Sequence, residues 1–308
     1  MSGTTPAHSS GLWIDAAPPS AGVRRRIHEA VAAATADLSA AKRVRGRIDL
    51  KGNRGWPAPN QGRRPMCTAF AATAAVEILK AAHSKTIPQY SAAFEYFHMR
   101  TDQKPPGVHF QGDEKGFTRF EDAQRTLAEV GYCDLADWGD NLEHAPRPLP
   151  PVKGQLVTTA LPFPPVQGVV RSGLASLVYA ELLAGRPVVI GMPQIVLAGT
   201  GGLTNWDDAW RTGLVGRRKS HGDLSDPDSV HAFCVFGFTT ATLDGKSSGK
   251  DGTPSDTDVK SGWFMFRNSF GTQFASDPET TGLEAGFGLL PAGLVETDTW
   301  GLLLMREL

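Results

Sequence analysis

Asn60-Gln-Gly-Arg-Arg-Pro-Met-Cys67-Thr-Ala-Phe-Ala-Ala-Thr-Ala-Ala-Val-Glu77 passes within a few positions from a polar, Gly- and Pro-bearing loop into an Ala-rich run. Thr68 to Lys80 holds no Gly or Pro, and Phe70, Val76, Ile78 and Leu79 supply its larger apolar side chains. That pattern predicts a mostly buried helix, and Pro65 suits its first turn. Cys67 then sits at or near the helix N-terminus, where partial positive charge favours a thiolate over a thiol. Gln61, six residues earlier, puts a side-chain amide on the loop leading to the Cys. A thiolate beside amide donors is what attack on a carbonyl requires. A single Cys opening an apolar helix is nonetheless ordinarily an inert buried residue. The rest of the chain must supply a base.

The 308 residues suffice for one large domain or two small ones. With 31 basic and 32 acidic residues the net charge is −1, which gives no general affinity for nucleic acid or an acidic membrane. Short basic clusters at Arg24 to Arg26, Lys42 to Arg47 and Arg217 to Lys219 read as solvated surface. Met1 to Gly11 is rich in Ser and Thr with no apolar signal region, and no run approaches a membrane span. A cytoplasmic location is therefore expected, although delivery by a dedicated secretion machine would leave no readable mark. Cys67, Cys133 and Cys234 make neither a disulfide framework nor a zinc pattern. A reducing compartment and no metal fit that usage.

Residues 1 to 20 read as loosely attached. From Val23 to Lys42, Ile27, Val31, Ala34 and Leu38 recur near helical spacing and predict an amphipathic helix, packed on the domain or else forming a short pro-segment. Residues 1–45 thus form an N-terminal arm, and 46–308 the main domain. Further helices are expected at Ser91 to Arg100, with Ser91 as N-cap, at Thr118 to Val130, stopped by Gly131, and at Gly173 to Ala184. The Pro-rich region 134–168 reads as a crossing segment with little regular structure. Strands are expected at Pro187 to Met192, Val230 to Phe238, Gly262 to Asn268, Gly286 to Leu290 and Gly301 to Met305. Residues 198–228 and 243–260 read as long polar loops, the first, with Trp206 and Trp210, as a lid, a partner surface or a plain exposed insertion. Helices crowd the first half and strands the second. The expected class is α+β, with a helical lobe at about 60–170 and a sheet lobe at about 171–305.

His231 opens an apolar strand and Asn268 closes another, so both fall at a rim of the sheet lobe. An Asn carboxamide there can accept a proton from one imidazole nitrogen and leave the other to face a nucleophile. Among the remaining histidines His221, in the loop before the strand, is the nearest rival.

Gln61-x5-Cys67-Thr-Ala-Phe, Val230-His231-Ala-Phe-Cys-Val-Phe-Gly-Phe238 and Trp263-Phe-Met-Phe-Arg-Asn268-Ser-Phe-Gly271 together resemble the papain-like cysteine peptidases (C1 type), in that family's order of Gln, Cys, His and Asn. The resemblance covers roughly residues 45 to 305. It implies a two-lobed fold with an antiparallel, barrel-like sheet lobe and a cleft between the lobes. It also implies Cys67 as nucleophile, His231 as base and then acid, Asn268 as the orienter of His231, and Gln61 in the oxyanion hole. Lys115-Gly116 looks like the family's cleft-lining glycine, which makes Gly116 a substrate-binding candidate. No cofactor or metal is implied. The sequence also departs from the family. Arg64-Pro65-Met66-Cys67-Thr68 stands where the family signature has a companion Cys and an aromatic flanking the nucleophile, and Phe270 stands where a Trp is usual. His231 and Asn268 are 37 residues apart, a longer separation than usual. The arm is short for a propeptide.

The function expected is thiol-dependent hydrolysis of peptide bonds in a protein or peptide substrate. The same acyl-enzyme also serves an amidase or a transglutaminase-like acyl transferase. A non-catalytic peptide-binding module would be favoured by loss of the Cys or His, and neither is lost.

Overall fold

A computed structural model describes residues 21–41, 46–101, 117–139, 152–163, 171–193, 206–215, 230–240, 256–277, 279 and 281–306. The first half runs α1 (Ala21–Ala41), β1 (Arg47–Asp49), α2 (Cys67–Ala81), α3 (Ala92–Thr101), α4 (Phe120–Arg125), α5 (Leu135–Trp138) and β2 (Val157–Pro162). The second runs α6 (Leu174–Leu183), β3 (Val188–Pro193), α7 (Asp207–Thr212), β4 (Val230–Thr239), α8 (Asp256–Ser261), β5 (Trp263–Arg267), β6 (Phe287–Pro291), α9 (Ala292–Asp298) and β7 (Gly301–Arg306).

Six strands lie in the order β2-β7-β3-β4-β5-β6, every pair antiparallel, and β1 adds to the far end of β4. Strand β4 divides the interior. Val230, Ala232, Cys234 and Phe236 join the core formed with α2, whereas Phe233 and Val235 join the core formed with α6. A bulge between Val235 and Gly237 then shifts the phase, so Phe238 falls in the second core. At Gly237 a Cβ would lie 2.6 Å from the Ile48 carbonyl oxygen, so only glycine lets β1 close on the bulge. Helix α2 is buried along nearly its whole length because small Ala side chains let it approach β4 closely, while Val76, Ile78 and Leu79 fill the core. Each of those three contributes about 1.5–3 kcal/mol on full burial.

Ser91 caps α3 as expected, its Oγ accepting from the Phe94 amide at 3.0 Å. Helix α4 runs on into a π-helical turn, Thr126–Val130, closed by Gly131 at φ 97°. A Cβ at Gly131 would stand 2.2 Å from the Gly154 carbonyl oxygen, so conformation and space both require glycine. Helix α1 lies against the sheet lobe, with Ile27, Ala30 and Val31 on the core that contains α6.

Three expectations fail. The stretch 243–260, expected to be a polar loop, runs at its end into α8, a helix too short and polar to show a period, whose Val259 is buried in the core that contains α6. The crossing segment 134–168 contains β2, which pairs along its whole length with β7. It is an edge strand, its Pro-flanked Val-Thr-Thr-Ala-Leu-Pro sequence carries little apolar signal, and the Gln124 side chain covers its Ala160 amide at 2.8 Å. Helix α9 was also missed. It is seven residues long, begins after Pro291 and contains Gly293, so no helical period is visible.

Candidate active site

Cys67 is the first residue of α2, preceded by Met66 in a non-helical conformation (φ −109°, ψ 11°). The helix therefore aims its N-terminal backbone amides and partial positive charge at the Cys67 end. Cys67 is fully buried, in the core that also holds Val230 and Ala232, the two neighbours of His231 on β4. His231 is fully buried as well, and pairs with Met192 of β3 in the register of the sheet.

The His231 Nε2 and Asn268 Oδ1 atoms are 2.7 Å apart. The Ser269 backbone N–H reaches the same Asn268 oxygen at 2.8 Å. A backbone N–H can only donate, so this atom is the carbonyl oxygen of the amide, and Nε2 must carry the proton. That bond fixes the tautomer and leaves Nδ1 as the nitrogen that can accept. Phe270 lies flat on the imidazole at 4.4 Å between centroids and 17° between planes, which covers one face of the ring beside the His231–Asn268 bond.

Gln61 is zipped onto the turn that follows Asn268. Its backbone N–H donates to the Ser269 carbonyl at 2.8 Å, and its Oε1 accepts from the Ser269 hydroxyl at 2.6 Å. Its Nε2 donates to the Arg64 carbonyl at 2.9 Å, closing the loop that enters α2. One residue out from the Gln61–Ser269 pair Asn60 lies opposite Phe270, and two residues out the Gly271 N–H donates to the Pro59 carbonyl. The loop that positions Gln61 and the turn that positions Asn268 are one hydrogen-bonded unit. Gly116 lies outside the described residues.

A buried ion pair joins the same two parts from behind. Arg267, next to Asn268, meets Glu77, ten residues after Cys67, and its Nη2 donates to the Pro57 carbonyl at 2.9 Å. The other Glu77 oxygen accepts from the Tyr90 amide at 2.9 Å. The sequence reading overlooked Ser269 and this pair. The positions, flanking Asn268 and inside the Cys67 helix, were the available signal. The described part of the 198–228 region, 206–215, is not a plain exposed insertion. Trp206 is buried and packs against the ring of His231. The other two thiols are held protonated: burial pushes Cys133 up to about 11 and Cys234 up to about 12. Among the described residues no cluster of His, Cys, Asp and Glu can hold a metal, and no helix is long and apolar enough to cross a membrane.

A scan of the sequence against protein-family models finds no match, and a search of curated proteins finds none either. Solved structures do match. Xylellain, a cysteine protease from Xylella fastidiosa, is 16% identical and aligns over 99% of both chains with a TM-score of 0.57. The bromelain protease from Ananas comosus, solved with the E64 inhibitor, is 15% identical over 86% of this chain and 100% of its own, at 0.53. A recombinant stem bromelain precursor is 12% identical over 97% of this chain and 77% of its own, at 0.54. The mixed helices and antiparallel sheet, matched over 99% of xylellain and 100% of the bromelain chain, give the chain the papain-like two-lobed α+β fold.

Proposed function

We propose that the protein is a cysteine peptidase that hydrolyses peptide bonds through Cys67, His231, Asn268 and Gln61. The observation that carries this reading is the 2.7 Å His231–Asn268 bond, with its donor and acceptor fixed, in a fold whose neighbours are cysteine proteases. The α2 N-terminus and the imidazolium favour the Cys67 thiolate. Its sulfur attacks the scissile carbonyl carbon while the carbonyl oxygen takes up the displaced electron pair. The Cys67 backbone N–H and the Gln61 amide stabilise that oxyanion. As the tetrahedral species collapses, the carbon–nitrogen bond breaks and His231 gives its Nδ1 proton to the leaving amine. Water then attacks the thioester, returning a proton to His231 and releasing the acid and free Cys67. Asn268 keeps the ring oriented through both steps. No metal or cofactor takes part in this scheme. Gly116 is proposed to line the cleft, where a glycine lets the substrate backbone approach closely. Three free thiols favour a reducing compartment, and the cytoplasm is the location we propose.

The test is covalent labelling with an epoxide or vinyl-sulfone peptide inhibitor, read by intact mass. A single adduct on the native chain, absent from Cys67→Ala and His231→Ala, is the expected result. Labelling indifferent to His231, or spread over Cys133 and Cys234, would refute the reading and favour a non-catalytic peptide-binding module.

A further inference from the structure

Helix α7 is short, but it is fastened on every side. The Ala275 amide donates to the Trp210 carbonyl and the Asp277 amide to the Arg211 carbonyl, each at 2.8 Å, and the Arg211 guanidinium pairs with Asp277 at 2.9 Å. Beyond the helix, the Leu289 amide donates to the Gly213 carbonyl and the Val215 amide to the Leu289 carbonyl. These bonds tie α7 to strand β6 and to the segment that follows the Asn268 turn. Trp206, the residue just before the helix, and Trp210 on it present two indoles to the candidate site. Trp206 stands perpendicular to the His231 ring (5.7 Å, 85°) and continues into Phe233, Phe266 and Phe274. Trp210 backs Phe270 at 5.2 Å, and Phe270 is the ring stacked on His231.

Imidazole orientation has two freedoms, rotation about each side-chain bond. The Asn268 bond restrains the Nε2 end only. Phe270 covers one face of the ring, and the perpendicular Trp206 blocks the swing that Phe270 does not. Resting on the peptidase reading above, we propose that Trp206 is a positioning residue for His231. With Trp210 behind Phe270, α7 is a buttress that keeps Nε2 on Asn268 and Nδ1 aimed at the nucleophile. The imidazole is thereby held by aromatic packing from the sheet lobe rather than by one hydrogen bond.

The test compares Trp206→Leu, which keeps an apolar side chain but no ring, with Trp206→Phe, which keeps a ring. Each is measured for the first-order inactivation constant and the reversible binding constant of the peptide epoxide. It is also measured for the imidazole nitrogen and N–H signals of ring-labelled His231. Misplacement of a catalytic group by about 1 Å costs on the order of 100-fold. Trp206→Leu should therefore lower inactivation about 10- to 100-fold at unchanged binding, broaden or split the His231 signals, and be largely rescued by Trp206→Phe. A fall in melting temperature with the inactivation constant and the His231 signals unchanged would overturn the proposal and leave Trp206 as core filling. Should the Leu variant not fold, Trp206→Met, which also lacks a ring, takes its place, and His231 signals matching the wild type in width and tautomer in that variant refute the proposal equally. The His231 signals need no activity, so an unlabelled wild-type chain would sink the peptidase reading and still decide the role of Trp206.

Discussion

Glu77 and Arg267 form a buried ion pair that joins the helix begun by Cys67 to the strand that delivers Asn268. Both carboxylate oxygens and two guanidinium nitrogens are engaged, with the Tyr90 amide and the Pro57 carbonyl completing the set. Breaking such a pair on one side leaves an uncompensated buried charge, a loss of about 3–5 kcal/mol, whereas replacing both partners by apolar groups is often near neutral. Arg267→Met alone should therefore unfold at a much lower urea concentration than the wild type. Glu77→Met with Arg267→Met should recover most of that loss. A loss in the double variant equal to the sum of the losses in Glu77→Met and Arg267→Met would show that the pair is not coupled.

Ser269 offers a graded probe of Gln61. Its hydroxyl fills the Gln61 Oε1 acceptor, while the Gln61 backbone N–H is held independently by the Ser269 carbonyl. Losing one oxyanion donor costs on the order of 100- to 1,000-fold in rate, and Gln61→Ala should fall in that range. Ser269→Ala removes only the tether of the side chain and leaves a buried acceptor unfilled, at about 1–3 kcal/mol of stability. Its rate loss should be well short of that of Gln61→Ala. Inactivation kinetics with the peptide epoxide rank the two, and a larger loss in Ser269→Ala would contradict the assignment of Gln61.

The parts of this site that were legible in the sequence are those that local chemistry dictates. Cys67 opens a helix because an Ala run without Gly or Pro follows Pro65, and His231 and Asn268 fall at strand ends because the apolar runs start and stop there. What the sequence hid depends on packing across long separations. Trp206 sits in a Gly-rich polar stretch whose composition reads as exposed, and only contact with His231, Phe233 and Phe266 buries it. Strand β2 is specified by its partner β7 rather than by its own pattern. The register that brings Ser269 to Gln61 spans 208 residues, and no local signal carries it.

The thiols should differ sharply in reactivity. Cys133 and Cys234 are both buried, and desolvation raises them to about 11 and about 12, so each remains a thiol throughout the neutral range. At pH 8 the Cys67→Ala chain should take up no iodoacetamide while folded and two equivalents once unfolded in guanidinium. Rapid modification of the folded variant would mean that one of these sites opens readily.

Glu95 carries a pH dependence of known sign. It is buried on α3, its Oε1 has no hydrogen-bond partner among the described residues, and desolvation raises its carboxyl well above the usual range. The folded state therefore holds the proton more tightly than the unfolded chain, in which a Glu titrates near about 4.3. For a group raised in this way, its contribution to stability is complete below the unfolded value and is lost as pH rises through the folded one. Glu95→Gln keeps the shape of the neutral acid and cannot ionise. Its urea midpoint should exceed that of the wild type at pH 7.5, and the difference should vanish by about pH 4, where both chains are neutral at this position. A midpoint difference that is the same at both pH values would assign the change to packing and show that Glu95 does not titrate on unfolding.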